Sequence, residues 1–241
     1  MCHRRIELPK ILHKRTGQVL VELSAPYLRG ADLSGLDLRE AELAGCDLQD
    51  ACLNGTLLSE ADLVGANFAG AQLIGANLDL ADASGASFRG CPCMDLRAVR
   101  ANLRRADLTN ADLAGAALQG ADLTDANASD SDLASADLTD AVLTRVDLRG
   151  ASLLSAMMAR TNLADATLHG TRFGSTMLIA CETLGEAKGL DAAVHMRPSS
   201  IDWATLRSSV PDLPDEFLLG VGIAAGDVAA LRLVIGGKAE R

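Results

Sequence analysis

A five-residue period runs through roughly two thirds of the chain. Every fifth position from residue 23 to residue 178 carries an apolar residue, which gives 32 consecutive pentads without a change of phase. The central residue is Leu in 24 of these pentads and Phe in three. The residue two positions earlier is usually small, and Asp or Asn often lies between them, so the unit reads Ala-Asp/Asn-Leu-x-x. An unbroken repeat this short predicts a solenoid.

Neither an α-helix nor a plain β-strand fits this period. A step of five residues moves around a helix of 3.6 residues per turn and never settles on one face. In a strand, an odd period would send every second Leu to the solvent side. Gly recurs at the last position of many pentads, and its tolerance of positive φ suits a turn. The chain therefore turns once per pentad, and four turns close a square coil.

The repeat resembles the pentapeptide-repeat proteins. This resemblance rests on the Ala-Asp/Asn-Leu-x-x units of residues 22–182 and implies an all-β solenoid, a right-handed quadrilateral parallel β-helix with four pentads per coil. In that fold the central residue and the small residue before it point inward, and the other three positions face solvent. About eight coils stacked at the ~4.8 Å strand spacing would form a rod on the order of 38 Å long.

We expect three parts: a basic N-terminal cap at residues 1–21, the β-helix at 22–182, and a small helical C-terminal module at 183–241 that caps the rod or forms a dimer. The N-terminal pattern predicts a short helix over Ile6–Arg15 and a first strand over Val19–Leu23. Open solenoid ends expose their core, so both ends need caps.

The ladder is expected to stop near Cys181, and two helices are predicted beyond it. Pro214 predicts the start of one over Asp215–Leu219. Asp227 is predicted to cap the other, which runs to Ile235 and ends at Gly236-Gly237.

Residues 87–100 interrupt the pattern. Cys93 and Ala98 replace the central Leu, and Pro92 cannot donate a ladder hydrogen bond. Two interpretations stay open, a deformed or bulged coil and a loop that contacts a partner, since loops in some gyrase-protecting relatives touch the enzyme. The candidate contact residues are Arg89, Pro92, Met94, Arg97 and Arg100. Ion pairing with Asp95 and Asp107 is the simpler role for the arginines of this stretch.

Charge is unevenly distributed along the chain. The net charge is −10, and residues 22–182 hold 23 acids and 11 arginines but no lysine. An acidic rod is poorly suited to direct nucleic-acid binding and suits a protein partner that itself binds nucleic acid. Residues 20 apart should stack on one side, which predicts an acidic stripe. Its candidate residues are Glu22, Glu40, Glu42, Glu60, Asp62, Asp82 and Asp122. The alternative is a solvated side whose Asp and Asn side chains hydrogen-bond nearby backbone.

The sequence offers no sign of catalysis, metal or membrane. Phosphate-binding loops, nucleophile elbows and zincin motifs are absent, so we expect no enzyme activity and no cofactor. Cys91-Pro92-Cys93 has no second pair at zinc-site spacing, and the four histidines are scattered, so no metal is expected. No apolar run approaches membrane-spanning length. Cysteine usage and the lack of a targeting signal predict a cytoplasmic protein.

Family resemblance implies two functions of different kinds. Gyrase-targeting relatives act as DNA mimics, so one hypothesis is an acidic rod that binds DNA gyrase or topoisomerase IV and protects it from an antibiotic or toxin. The other is a scaffold or docking rod linked to a separate effector, because the tail resembles the segment that precedes TIR domains in some bacterial proteins. A homodimer through the C-terminal module is also expected. Its candidate contacts, which would alternatively cap the last coil, are Phe217, Val228, Leu231, Val234 and Ile235.

Overall fold

Four ladders of parallel β-bridges connect residues about 20 positions apart. The computed structural model describes residues 9–23 and 27–236. The first bridges of the ladders are Asp32 with Cys52, Asp37 with Leu57, Glu42 with Asp62, and Asp47 with Asn67. Each pentad therefore contributes one side of a coil, and each coil lies on the one before it. The chain is a repeat β-helix, and its handedness stays a prediction.

The core is the column of central and small residues that the repeat predicts. Leu118 and Ala116 are fully buried, as are most residues at the equivalent positions. Phe68 and Phe88 stack with ring centroids 5.0 Å apart and planes within 5°. The prediction that these two positions of each pentad point inward is confirmed.

Asp and Asn before the central residue close the turn on each side of the coil. Their carboxylate or amide oxygen accepts the backbone N–H two residues later, as Asp32 does from Ser34 at 3.1 Å and Asp132 from Ala134 at 2.9 Å. The last residue of the pentad has positive φ whether it is Gly or not, for example 54° at Glu40 and 61° at Leu80. The local hydrogen bonds predicted for Asp and Asn are therefore present.

The stretch at residues 87–100 is a regular coil, and the expectation of a bulge or loop is wrong. Pro92 pairs with Asp112 in the ladder, and its carbonyl accepts the Leu73 N–H at 2.9 Å. Only the bond that Pro92 cannot donate is missing. Ala83, Phe88, Cys93 and Ala98 are the four central residues of one coil, so one large and three small side chains share its cross-section.

The N-terminal end is closed by an antiparallel hairpin. Strand β1 (Lys10–His13) pairs with β2 (Val19–Glu22) on one side and with β3 (Ala41–Glu42) of the first coil on the other. The helix predicted over Ile6–Arg15 is therefore wrong at β1, and residues 6–8 lie outside the described residues. A strand satisfies the exposed backbone groups of the first coil, which a helix cannot do. The predicted strand at Val19 is confirmed.

Parallel pairing continues past Cys181, where the ladder was expected to stop. Strands β4 (Met157–Ala159), β6 (Met177–Ile179) and β8 (Ser200–Ile201) form one three-stranded sheet, and β5 (Arg172–Phe173) pairs with β7 (Val194–His195). Two short 3₁₀ turns, Leu184–Glu186 and Leu190–Ala192, take up the residues beyond a 20-residue coil. The pairing persists here although the five-residue pattern fades, because strand pairing depends on backbone geometry and does not require Leu.

Three helices follow β8. They are α1 (Trp203–Ser209), α2 (Asp215–Gly220) and α3 (Ala225–Gly236). The start predicted from Pro214 is confirmed. Helix α3 begins before Asp227, which lies in its first turn and is not its N-cap, and Gly237 lies outside the described residues.

Helix α1 was missed, although the sequence carries a signal for it. The Asp202 side chain caps α1 by accepting the Thr205 N–H at 2.9 Å. Asp is among the residues most favoured at an N-cap, because its side chain can accept a first-turn N–H. Helix α1 is only 7 residues long, so it shows little apolar periodicity.

Candidate functional site

The predicted acidic stripe forms a real column on one side of the β-helix. Glu42, Asp62 and Asp82 are successive partners in one parallel ladder, which continues through Asn102 to Asp122. Glu42 is exposed, and the two aspartates are half-buried. Neighbouring members of such a ladder lie ~4.8 Å apart. The spacing of 20 residues therefore places these side chains together as predicted, while their role in binding stays a prediction.

Glu22 does not belong to this column, contrary to the prediction. Strand β1 lies between Glu22 and Glu42, so the two residues are separated by a full strand. Glu22 instead pairs with Lys10, whose ammonium lies 3.5 Å from its carboxylate. The inserted hairpin explains the error, because simple 20-residue spacing assumes that the first coil has nothing on top of it.

Glu40 and Glu60 lie at the neighbouring corner, where basic residues of the hairpin cover them. Arg15 Nε is 2.8 Å from the Glu40 carboxylate, and its Nη2 is 3.5 Å from that of Glu60. The Lys14 ammonium donates to the backbone carbonyl of Glu60. The basic N-terminal segment thus neutralises acids of its own chain.

Asp122 at the far end of the column is also paired. Burial opposes its charge, but hydrogen bonds from Thr124 and Arg104 hold its pKa below the usual range. The Arg104 guanidinium is 2.9 Å from the carboxylate. Four of the seven predicted stripe residues therefore have an ionic partner.

The other three form what we call the free acidic column: Glu42, Asp62 and Asp82. Within residues 9–23 and 27–236, none of them has a salt-bridge partner. Asp62 accepts the Val64 N–H through Oδ1, and Asp82 accepts the Ser84 N–H and the Asn102 amide through the same atom. The Oδ2 atoms accept no hydrogen bond from the described part of the chain. Three carboxylates with spare acceptor capacity are therefore stacked in a fixed row.

The arginines near residues 87–100 mostly pair with acids. Arg97 is 2.7 Å from Asp79, and Arg89 is 4.0 Å from Asp107, so Asp107 is confirmed as a partner and Asp79 replaces Asp95. Among the described residues Arg100 has no ion pair, and Met94 is exposed. Pro92 lies in the ladder. The five residues predicted as a contact region thus surround a regular coil, and their contact role stays a prediction.

Sequence reasoning missed a second charge pattern, along one corner of the later coils. Residues at this corner alternate in sign along the rod: Arg105, Asp125, Arg145 and Asp165. Lys188, which pairs with Thr167 in the neighbouring ladder, reaches Asp165 from the last coil. Arg145 Nε is 2.6 Å from Asp125, and Lys188 is 2.8 Å from Asp165. The hydrogen bond from Arg145 lowers the pKa of Asp125. Reading the last position of every fourth pentad would have found this row, which leaves the later coils better balanced in charge.

The dimerisation candidates are divided by burial. Phe217 is fully buried and Val228 is 5% exposed, so neither is available to a second chain in this structure. Leu231 and Ile235 are half-buried, whereas Val234 is 57% exposed. Leu233, which was not predicted, is 77% exposed. Helices α1 and α3 also line an apolar groove of about 600 Å³ beside Trp203 and Val234.

Three of the described cysteines are buried in the β-helix, and Cys46 and Cys52 are half-buried. Cys91 and Cys93 lie in the core, and burial raises the pKa of Cys181 to about 11. Residues 9–23 and 27–236 contain no group of three or more His, Cys, Asp or Glu side chains that would hold a metal ion. In the same ranges, no helix combines the length and the apolar character needed to cross a bilayer.

Several solved structures are similar to part of this chain. QnrB1, a plasmid-mediated fluoroquinolone resistance protein, in a trypsin-treated form, is 17% identical over 82% of this chain and 98% of its own, with a TM-score of 0.48. A pentapeptide repeat protein from the Arabidopsis thaliana thylakoid lumen is 29% identical over 46% of this chain and 66% of its own, with a TM-score of 0.18. A pentapeptide repeat protein from the cyanobacterium Cyanothece 51142 is 28% identical over 48% and 62%, also at 0.18. No curated protein sequence matches the chain.

A sequence profile of pentapeptide repeats matches the chain in 8 copies, over residues 23–59, 52–90, 101–140 and 136–174. These segments cover more than half of the chain and coincide with the ladders described above. The register of the repeat, the buried Leu column and the profile match agree with one another. The chain belongs to the pentapeptide-repeat family.

Proposed function

We propose that this protein acts without catalysis, through protein–protein contact, as a DNA mimic that binds DNA gyrase or topoisomerase IV and protects it from an antibiotic or toxin. The observation that carries the proposal is the free acidic column of Glu42, Asp62 and Asp82. These carboxylates have no ionic partner among the described residues. A partner that supplies cations to this row would gain ion pairs without breaking existing ones.

The physical basis is a fixed row of negative charge. Each strand of B-DNA carries one negative charge per about 3.4 Å, and β-helix neighbours lie ~4.8 Å apart. A surface that binds DNA through Lys and Arg therefore meets a comparable spacing here, on a scaffold that needs no ordering before it binds. Such contact should be fast and sensitive to salt. We also propose that the coil is right-handed and that the protein is cytoplasmic.

We expect gyrase binding to depend on the free acidic column. The triple variant Glu42→Gln, Asp62→Asn and Asp82→Asn removes three charges and keeps side-chain size and the Asp-type turn hydrogen bonds. Its stability should be equal to or slightly above wild type, because repulsion between stacked carboxylates is relieved. Gyrase affinity, measured by surface plasmon resonance at several salt concentrations, should fall at least tenfold with a weaker salt dependence.

A matched control lies on another part of the rod. Asp112, Asp130 and Asp132 also lack ionic partners in the described part of the chain, and Asp112 pairs with Asp132 in a different ladder. Changing these three to Asn alters the net charge equally. If both triple variants lose binding to the same extent, only net charge matters and the column is not the site. If neither loses binding, the partner contacts another surface.

A scaffold or docking rod is the second candidate. The observation that favours it is the neutralisation of Glu22, Glu40, Glu60 and Asp122 by basic residues of the same chain, which shortens the acidic stripe. Supercoiling assays and fluoroquinolone-induced cleavage assays with purified gyrase distinguish the two. No effect at micromolar protein would favour the scaffold. The likeness of the tail to a segment preceding TIR domains stays a prediction of that second function.

We also propose that the protein forms a dimer, and that the exposed surface of α3, rather than the buried Phe217, makes the contact. Leu233 and Val234 provide exposed apolar surface there, whereas Phe217 does not. Sedimentation equilibrium should show a dimer for wild type and a monomer for Leu233→Glu. A dimer of unchanged affinity in that variant would place the contact elsewhere.

A further inference from the structure

A half-buried histidine, whose two ring nitrogens are both buried, lies where the last coil meets the C-terminal helices. His195 in β7 pairs with Phe173 in β5, and its ring stacks on the Phe173 ring with centroids 5.7 Å apart. Phe217 of α2 packs edge-on against both rings, at 5.0 Å from His195 and 5.5 Å from Phe173. These three residues form what we call the aromatic junction. The aromatic junction is one of the contacts that hold α2 against the end of the β-helix, beside the contact of α2 with the second 3₁₀ turn.

In the part of the chain that the structure describes, no group is within hydrogen-bonding reach of either nitrogen of the His195 ring. Both Nδ1 and Nε2 are buried and unpaired within the described residues. The backbone of α2 is pressed against the ring, because a methyl group added at Gly220 would overlap it. Phe217 and Gly220 thus hold the imidazole between α2 and β5. A protonated ring would have two buried N–H donors without acceptors.

Among residues 9–23 and 27–236, no charged group compensates for the burial of the His195 ring nitrogens. The charged residues on the segments packed around it are Arg172 in β5, Arg197 after β7, Asp191 in the second 3₁₀ turn, and Asp215 and Glu216 in α2. All five are exposed, and within the described residues none pairs with the imidazole. Burial is accordingly the cause of the lowered pKa of His195. The docked arrangement requires the neutral ring.

We propose that the aromatic junction is an acid-sensitive latch, in which protonation of His195 releases helices α1–α3 from the end of the β-helix. Release exposes the Phe217 ring and the last coil, which are buried in the docked form. The proposal concerns the C-terminal module alone and does not depend on gyrase being the partner.

The direction of the pH effect follows from proton linkage. Above the ordinary histidine pKa of about 6.5, both docked and released forms are neutral, and docking is unaffected. As the pH falls below that value, the released form takes up a proton that the docked form refuses. The docking equilibrium then weakens by up to about tenfold per pH unit until the lowered pKa is reached.

The chain carries its own reporter for the test. Trp203 is the only tryptophan and lies in α1. Trp203 fluorescence and amide hydrogen exchange of residues 203–236 are followed from about pH 7.5 to about pH 5, the range in which histidine titrates. We expect exchange in α1–α3 to rise in acid while the coils stay protected. No acid response in wild type would overturn the proposal.

Two variants assign the response to His195. His195→Phe keeps the aromatic packing without a titrating group and should remove the acid response. His169→Asn removes an exposed histidine outside the junction and should leave the response intact. An unchanged response in His195→Phe would overturn the proposal. Should that variant fail to fold, NMR titration of the wild-type His195 ring decides: a pKa at or above about 6.5 in the docked form overturns the latch.

Discussion

The two ends of the β-helix solve the same problem by different physics. At the N-terminal end, a hairpin pairs with the first coil, and Arg15 forms ion pairs with Glu40 and Glu60 at an exposed corner. At the C-terminal end, helices α1 and α2 pack against the last coil and bury apolar side chains such as Phe217 and Leu218, and α3 packs on α2. The hairpin joins the rod through backbone pairing, exposed ion pairs and one buried apolar side chain, Ile11, whereas the C-terminal cap buries several apolar side chains. Salt should weaken the first, and acid the second.

The difference between the two caps matters because solvent-exposed ion pairs contribute little to folding stability. Exposed pairs are worth about 0–1 kcal/mol each and are screened by salt. Burying a Phe side chain contributes about 1.5–3 kcal/mol. We therefore expect the N-terminal hairpin to open at lower cost than the C-terminal helices.

The largest effect should come from the middle of the rod, between the two caps. Leu118 is fully buried, so Leu118→Asp places an unpaired charge in the apolar column and should destabilise the whole chain by several kcal/mol. Thermal unfolding followed by circular dichroism measures this. Leu80→Asp is the control, since Leu80 is 51% exposed and at positive φ, where Asp is better tolerated. Equal losses in both variants would show that Leu118 does not point inward.

Phe217→Ala should produce the next largest effect, limited to the C-terminal end. Truncating a buried Phe costs about 3–5 kcal/mol. Unfolding followed by Trp203 fluorescence should occur at a clearly lower denaturant concentration than in wild type. Unfolding of the coils, followed by circular dichroism, should occur at a higher concentration. Leu219→Ala on the same helix, where Leu219 is 46% exposed, should change little. A similar shift in both variants would contradict an apolar C-terminal cap.

Arg232→Lys tests the polar clamp within the C-terminal module. The Arg232 guanidinium donates to the carbonyls of Val210 and Leu213 at 2.8 and 2.7 Å and pairs with Asp215. Lys keeps the charge but lacks the planar fork, so acceptors are left unsatisfied at a cost of about 1–3 kcal/mol. Arg207→Lys, on the exposed part of α1, is the control in the same denaturation assay. Equal stability of the two variants would show that the clamp contributes nothing.

Arg15→Gln should have the smallest effect, at most about 1 kcal/mol at low salt and less at high salt. Hydrogen exchange of β1 and β2 at two salt concentrations measures it. Arg39→Gln is the control, because Arg39 pairs with Asp37 in its own pentad at 2.8 Å and does not link the hairpin to the rod. If hydrogen exchange in β1 and β2 changes neither with salt nor in the Arg15→Gln variant, backbone pairing alone holds this cap.

The members of the free acidic column were predictable from the sequence. Which of the nearby acids are instead paired with basic residues was not. Residues 20 apart in a four-sided coil must stack, so Glu42, Asp62 and Asp82 follow from the register alone. Glu22 was misplaced because hairpin pairing joins segments without any periodic signal. The pairing of Glu40 with Arg15 was equally hidden, since it joins residues whose proximity exists only after the hairpin folds.

The C-terminal module shows the same limit. The helix start at Pro214 was readable because its signal is local. The burial of Phe217 was not, because a short apolar segment looks alike whether it caps its own chain or contacts another. His195 gave no signal at all, as its neighbours Phe173 and Phe217 are distant in sequence.

The sequence by itself determined the coil: its 20-residue period, its inward Leu column, and the row of acids along one side. A strict repeat makes every contact a neighbour contact at fixed separation, so local pattern is sufficient to specify it. Only the tertiary structure decided how the coil ends, which acids keep an unpaired charge, and which apolar side chains are hidden. Those outcomes depend on contacts between segments with no repeating relation, where competing partners are separated by only a few kcal/mol.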